Sequence, residues 1–149
     1  MRARMPIGAA AAGMMAFLAC TAIAQEPPEA VYEKFHRAAR AANVAEMGRV
    51  STDERRLEIA DSPKMELMLG AQTFPVSYKI TGKKTSSDGN DVQLRATGMH
   101  APLGGQNRQM YGIVDLVKQK GVWKVDAAAW ADDEWPPEEP GTRGKALKK

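Results

Sequence analysis

Apolar and polar residues alternate most clearly between Gln109 and Trp130, in QMYGIVDLVKQKGVWKVDAAAW, and this predicts two strands joined at Lys120-Gly121. The glycine supplies the positive φ of a two-residue turn, which pairs Gln119 with Val122, Lys118 with Trp123, Leu116 with Val125, Val114 with Ala127 and Gly112 with Ala129. Directly paired residues share a sheet face. One face is then Gly112, Val114, Leu116, Trp123, Val125, Ala127 and Ala129, which is apolar and assigned to the core. The other, carrying Tyr111, Ile113, Asp115, Val117, Lys124, Asp126, Ala128 and Trp130, is mixed. A slip of one residue exchanges the faces, so the pattern is expected to fix the register.

Two more strands precede this hairpin. Phe74, Val76, Tyr78 and Ile80 alternate without a fault, and Pro75 and Lys79 on the polar parity mark an edge strand. After an Asp88-Gly89 turn signal, Val92, Leu94, Ala96 and Gly98 point inward while Gln93, Arg95 and Thr97 point outward. Nearer the start the spacing becomes helical. Val31, Tyr32, Phe35, Ala38, Ala39 and Ala42 recur at three and four residues behind Pro28, with Glu33, Lys34, Arg37 and Arg40 on the solvent side. Asn43 with Glu46 resembles a capping pair opening a short helix through Val50. Ser62-Pro63 begins a third helix with Met65, Met68 and Leu69 on its core face, ended by Gly70. The fold class is α+β: N-terminal helices packed on a curved four-stranded antiparallel meander sheet, one domain over residues 25–131. Residues 132–149, dense in proline and charge, read as a disordered tail.

The first 24 residues change the charge balance. Arg2 and Arg4 precede an uncharged run from Ile7 to Cys20, and Ala22-Ile23-Ala24 fits a cleavage site, so residues 1–24 read as a signal peptide. The run is too short for a membrane span of about 20 residues. Residues 25–149 then hold 19 basic against 18 acidic side chains, which removes the basic pI as an argument for nucleic acid. Periplasmic or secreted localisation follows. Phe17-Leu18-Ala19-Cys20 is also similar to a lipoprotein signal, and lipidation of Cys20, with anchoring to the envelope, is the alternative and the one route to a membrane.

The first helix, the Asn43–Val50 segment and Gly121-Val122-Trp123-Lys124-Val125 with Trp130 resemble the nuclear transport factor two-like superfamily, the chain being similar to an exported bacterial member. The resemblance covers roughly residues 28–131 and implies a curved sheet wrapped around helices into a cystatin-like cone, often with a pocket at the open end and often dimeric. It also implies isomerases, dehydratases and polyketide cyclases as enzymatic members beside exported domains without catalysis. Isomerase-like members pair a tyrosine on the first helix with carboxylates inside the cone. Tyr32 matches the tyrosine, but the register above puts Asp115 and Asp126 on the opposite face from the core.

Candidate chemistry is sparse. Ala96, Gly98, Gly112, Ala127 and Ala129 gather small side chains at one end of the core face, and either a close helix or a pocket must fill that volume. His100 lies near that end, and Tyr32, His36 and Tyr78 complete a polar rim if a pocket opens. The ligand-pocket candidates are therefore Tyr32, His36, Tyr78, Gly98, His100, Gly112 and Ala129. On the opposite face Arg95, Tyr111, Ile113, Asp115, Val117 and Trp130 form the candidate interface with a partner or a second copy, unless an apolar tail or a helix folds over them. Asp115 and Asp126 are expected to face each other there, relieved by Arg95 and Lys124. Two distant histidines and the absence of a cysteine after residue 24 give no zinc spacing, and no nucleotide-binding fingerprint occurs, so no metal or cofactor is expected. The reading is against catalysis. It favours an exported binding or protein-interaction domain for an unidentified apolar ligand or protein partner, with a small-molecule enzyme or carrier using the cone, or a lipid-anchored envelope subunit, as alternatives.

Overall fold

The computed structural model describes residues 25–101, 105–136 and 140. Residues 1–24, the segment expected to be a signal peptide and containing Cys20, and the tail beyond Pro136 apart from Pro140, lie outside the described residues. Four helices precede four strands: α1 (Pro28–Arg40), α2 (Val44–Val50), α3 (Asp53–Asp61), α4 (Pro63–Thr73), β1 (Ser77–Thr85), β2 (Asp91–His100), β3 (Arg108–Gln119) and β4 (Val122–Ala131). The strands form one antiparallel sheet in the order β1-β2-β3-β4, the meander that the alternation predicts.

Local chemistry sets the helix limits. Pro28 opens α1, whose apolar stripe buries Val31, Tyr32, Phe35, Ala38 and Ala39. The helix stops before Ala42, which takes φ 54° while Asn43 N–H donates to the Ala38 carbonyl (2.8 Å) and Ala42 N–H to that of Ala39 (3.2 Å). These are the two bonds of a Schellman end, made here with alanine in the left-handed position. Asn43 then caps α2, its Oδ1 accepting from Glu46 N–H at 3.1 Å. Thr52 caps α3 in the same way, accepting from Arg55 N–H at 3.2 Å.

Two helical expectations need correction. Residues 53–61 form a helix that the pattern does not announce, because it buries Ile59 while Leu57 is 62% exposed. The other concerns α4, which continues past Gly70 to Thr73 and leaves Met65 and Met68 exposed. Its contact with α1 is made through Gly70, where a Cβ would lie 3.2 Å from the Ala39 carbonyl oxygen, so the face presented to α1 is the one with least side chain.

On β2 the expected inward parity holds, with Val92, Leu94 and Ala96 entering the core, and β2 pairs with β3 without a break. Between β3 and β4 the expected register holds from Gln119↔Val122 to Leu116↔Val125, with Lys120 and Gly121 both at positive φ in the turn. It then shifts. Asp115 pairs with Ala127, Val114 with Ala128, Ile113 with Ala129 and Gly112 with Trp130. Asp126 is the extra residue of a β-bulge, and every side chain after it changes face. Trp130 therefore turns inward and is buried, while Ala127 and Ala129 move to the outer parity, the reverse of the expected assignment.

The cause is a tie to the head of α3. Thr52 N–H donates to the Val125 carbonyl (2.9 Å), and the Thr52 hydroxyl donates to Asp126 Oδ1 (3.1 Å). Asp126 thus does not oppose Asp115. Burying an indole in place of two alanine methyls favours the same shift.

Candidate functional site

The small-residue end of the sheet is filled by the chain's own side chains. A Cβ on Gly112 would lie 2.8 Å from the Trp130 ring, and one on Gly98 would lie 2.6 Å from Pro75 Cγ. Trp130 Nε1–H donates to the Tyr32 hydroxyl at 3.0 Å. Around this bond the rings close up: Tyr32 and Tyr78 centroids are 5.3 Å apart, His36 and Tyr78 4.5 Å, and His36 and Phe74 5.5 Å. Tyr32, His36 and Tyr78 do come together as an aromatic cluster, with Tyr32 sealed inside and His36 and Tyr78 bordering an open groove on its outer side. Of the other pocket candidates, Gly98 lies under Pro75 and borders the outer depression beside β1, Gly112 lies under Trp130, and Ala129 has moved to the outer parity while still bordering a small cavity beside Trp130. His100 is buried at the end of β2 opposite Arg108, and its Nδ1 has no hydrogen-bond partner among the described residues.

The cluster sets the protonation of its members. Burial raises the Tyr32 hydroxyl far above the usual phenol range, against the pull of the Trp130 hydrogen bond. Burial also raises Tyr78, helped by the charge of Glu33 and opposed by Arg37. His36 is pushed down to about 4, first by burial and then by the Arg40 guanidinium, with the Pro75 backbone pulling the other way. Its Nε2 is buried without a partner among the described residues. At neutral pH the ring is uncharged.

The largest open volume described lies against the outer side of this cluster, on His36 and Tyr78. A groove of about 630 Å³ runs between α1 and the start of β1, lined by Glu33, His36, Arg37, Arg40, Tyr78 and Ile80, with Val76 and Ser77 at its margin. Arg37 reaches Glu33 at 3.5 Å, and Arg40 donates to the Phe74 carbonyl at 3.4 Å. On the other side of the same strand a depression of about 350 Å³ is lined by Ser77, Lys79, Thr97, Met99 and Gln109. Arg37 and Arg40, which the helical spacing puts on the solvent side, flank the buried stripe beside His36 and so border the groove.

A smaller cavity of about 200 Å³ remains between helices and sheet, under Phe35, Met47, Phe74 and Trp130. Its polar wall is Arg55, which donates to Glu66 at 2.7 Å and to Glu58 at 3.0 Å and leaves its Nε buried without a partner among the described residues. These residues come from α3 and α4, and no spacing in the sequence joins them.

The outer sheet face is covered around Arg95 and Tyr111. Arg95 donates to the carbonyl oxygens of Trp135 (2.8 Å) and Pro136 (2.6 Å), and Trp135 Nε1–H donates to the Tyr111 carbonyl (3.1 Å). Residues 132–136, the head of the segment expected to be disordered, thus lie against the face expected to be a dimer interface. Ile113 and Asp115 are buried there, Asp115 accepting from Gln93 Nε2 at 3.1 Å. Tyr111 and Val117 are half-buried, and Trp130 belongs to the other face.

No protein-family model matches the sequence, and no curated protein matches it. Solved structures do resemble it. RPA3114, a SEC-C motif containing protein from Rhodopseudomonas palustris, is similar over 70% of this chain and 79% of its own, at 13% identity and a TM-score of 0.57. A five-substitution variant named Rd1NTF2_05 is similar over 69% of this chain and 95% of its own, at 8% identity and a TM-score of 0.53. An NTF-2 like protein of unknown function from Shewanella oneidensis MR-1 covers 70% and 95%, at 8% identity and a TM-score of 0.47. With four helices leading into a four-stranded antiparallel meander, the chain has the nuclear transport factor two-like fold.

Proposed function

We propose that this protein is an exported binding module without catalysis, holding its partner in the groove between α1 and β1. The observation that carries the reading is the filling of the cone. Trp130, Tyr32, Tyr78 and His36 fill the interior where a substrate would sit, and the large open volume lies on the outer side of His36 and Tyr78. The two groups best placed for proton transfer are also poorly tuned for it. His36 is held neutral with its pKa far below working pH, and Tyr78 is raised above the usual phenol range. The groove has the character of a binding surface, with Ile80 and the half-exposed Val76 set among Arg37, Arg40 and Glu33.

A photo-crosslinking residue at Val76 tests this in the native host. Adducts at Val76, and none when the same residue replaces the more exposed Leu57 of α3, support the groove; equal or absent adducts refute it. Export is tested by the mass of the secreted form. A chain beginning at Gln25 supports release, and an acylated chain beginning at Cys20 supports the lipid-anchored alternative.

The second reading, a small-molecule carrier or enzyme, takes the Arg55 cavity as its site. The orphaned Arg55 Nε favours it, as a donor awaiting an acceptor. The size weighs against it: about 200 Å³ is below the roughly 300–1,000 Å³ of ligand pockets.

A further inference from the structure

The groove and the depression on the other side of β1 share one strand edge. Both are lined by Ser77 and Tyr78, and they lie on opposite faces of the sheet at that edge. β1 has a sheet neighbour on one side only, so alternate N–H and C=O groups along its free edge have no strand partner among the described residues. A strand laid beside it at about 4.8 Å sends successive side chains to opposite faces. One set enters the α1–β1 groove, the other the outer depression. Edge and hollows together are what an added strand needs, main-chain bonds for affinity and alternate pockets for selectivity.

We infer that the free edge of β1 over Ser77–Ile80 binds an extended acidic peptide segment of another protein as a fifth strand, with acidic and apolar side chains in alternation. This deepens the binding-module reading and rests on it. Charge selects the occupant. Arg37 and Arg40 stand over the inner hollow with Glu33 as their one acidic neighbour in the lining, and Lys79 stands over the outer one. Acidic side chains are matched on both faces, and apolar ones find Val76 and Ile80 within and Met99, which is 42% exposed, without. The edge is short by construction. Pro75 precedes it, and a register shift between Ile80 and Gly82 ends the regular pairing of Ser77–Ile80 with Met99–Ala96. A second copy of the chain is a poorer occupant, since β1 itself carries Lys79, Lys83 and Lys84 and no acidic side chain to match them.

The test uses a display library of random dodecapeptides selected on the purified full chain. The selected peptides are expected to alternate Glu or Asp with apolar residues and to shift the backbone amide signals of Ser77–Ile80. N-methylation at alternate positions of the winning peptide is expected to weaken it at least tenfold, and Arg37→Glu or Lys79→Glu at least fivefold. Peptides that map to the groove yet bind equally well after N-methylation overturn strand addition and leave the binding-module reading standing. Basic winners, or winners that all map elsewhere, overturn the inference, and so does light scattering that shows a dimer lost on Lys79→Pro. Selection of no peptide also overturns it, while the crosslink at Val76 decides the broader reading separately.

Discussion

Gly112→Ala is the sharpest probe of the β4 register. With Asp126 bulged, a methyl at 112 meets three Trp130 ring carbons at 2.8 to 2.9 Å, closer than a carbon–carbon contact of about 3.5 Å. The ring is held by its bond to Tyr32 and by Tyr78 and His36, so it has little room to move. Overpacking of this kind costs about 1–3 kcal/mol. For a domain of this size 2 kcal/mol lowers Tm by on the order of 10 °C. Without the bulge, residue 112 would face Ala129 and an added methyl would be tolerated. The decisive measurement is a double-mutant cycle by urea unfolding. Trp130→Ala alone is expected to cost about 3–5 kcal/mol. Gly112→Ala in that background is expected to cost nothing or to help slightly, giving a coupling energy of about 1–3 kcal/mol. An equal cost for Gly112→Ala in both backgrounds, or no cost in either, would falsify the inward placement of Trp130.

Three further outcomes follow from the geometry. The folded-state pKa of His36, about 4, lies below its unfolded value of 6.5, so the unfolded chain binds the extra proton between them. The contribution is complete above pH 6.5 and lost as pH falls toward 4, at most about 3 kcal/mol and nearer 2 once water at the groove screens the charge. Unfolding free energies at pH 7.5 and 4.5 should differ less in His36→Phe than in the parent; an unchanged difference rules this origin out. Ala42→Gly should raise stability by about 1 kcal/mol, since it relieves a left-handed alanine at the end of α1, and a lower Tm contradicts that. Thr52→Ala should cost about 1–2 kcal/mol, through the cap on α3 and the hydroxyl bond to Asp126, while Thr52→Ser should cost much less; equal losses for the two variants point to the methyl instead.

What sequence reasoning captured were features carried by local repetition. The stripe of α1, the Asn43 cap, the turn at Lys120-Gly121 and the inward parity of Val92, Leu94, Val114 and Leu116 each follow from periodicities of 3.6 or 2, or from a required φ. What escaped was set by contacts between distant residues. Asp126 looks like one more polar position in an alternating strand, and only Thr52, 74 residues earlier, makes it a bulge. The alanines at 127, 128 and 129 gave no warning, because an apolar run reads the same in either register. Met65 and Met68 match a helix face, yet α4 approaches α1 through Gly70, so helix propensity was right and the buried face was wrong. Of the candidate site, the association of Tyr32, His36 and Tyr78 was legible. The groove was not, because it needs α1 and β1 side by side.

The extra residue at 126 also sets the phase of everything downstream of it. Excising Asp126 would rejoin a continuous ladder with Gly112 still opposite Trp130, so the indole would stay inside and the bond to Thr52 would be lost. Excising Ala128 instead would set Trp130 opposite Ile113 and send the indole to the far side of the sheet, leaving the Tyr32 hydroxyl facing a hollow floored by Gly112 and Ala96. Two single-codon deletions two positions apart thus separate a plugged scaffold from an open receptacle.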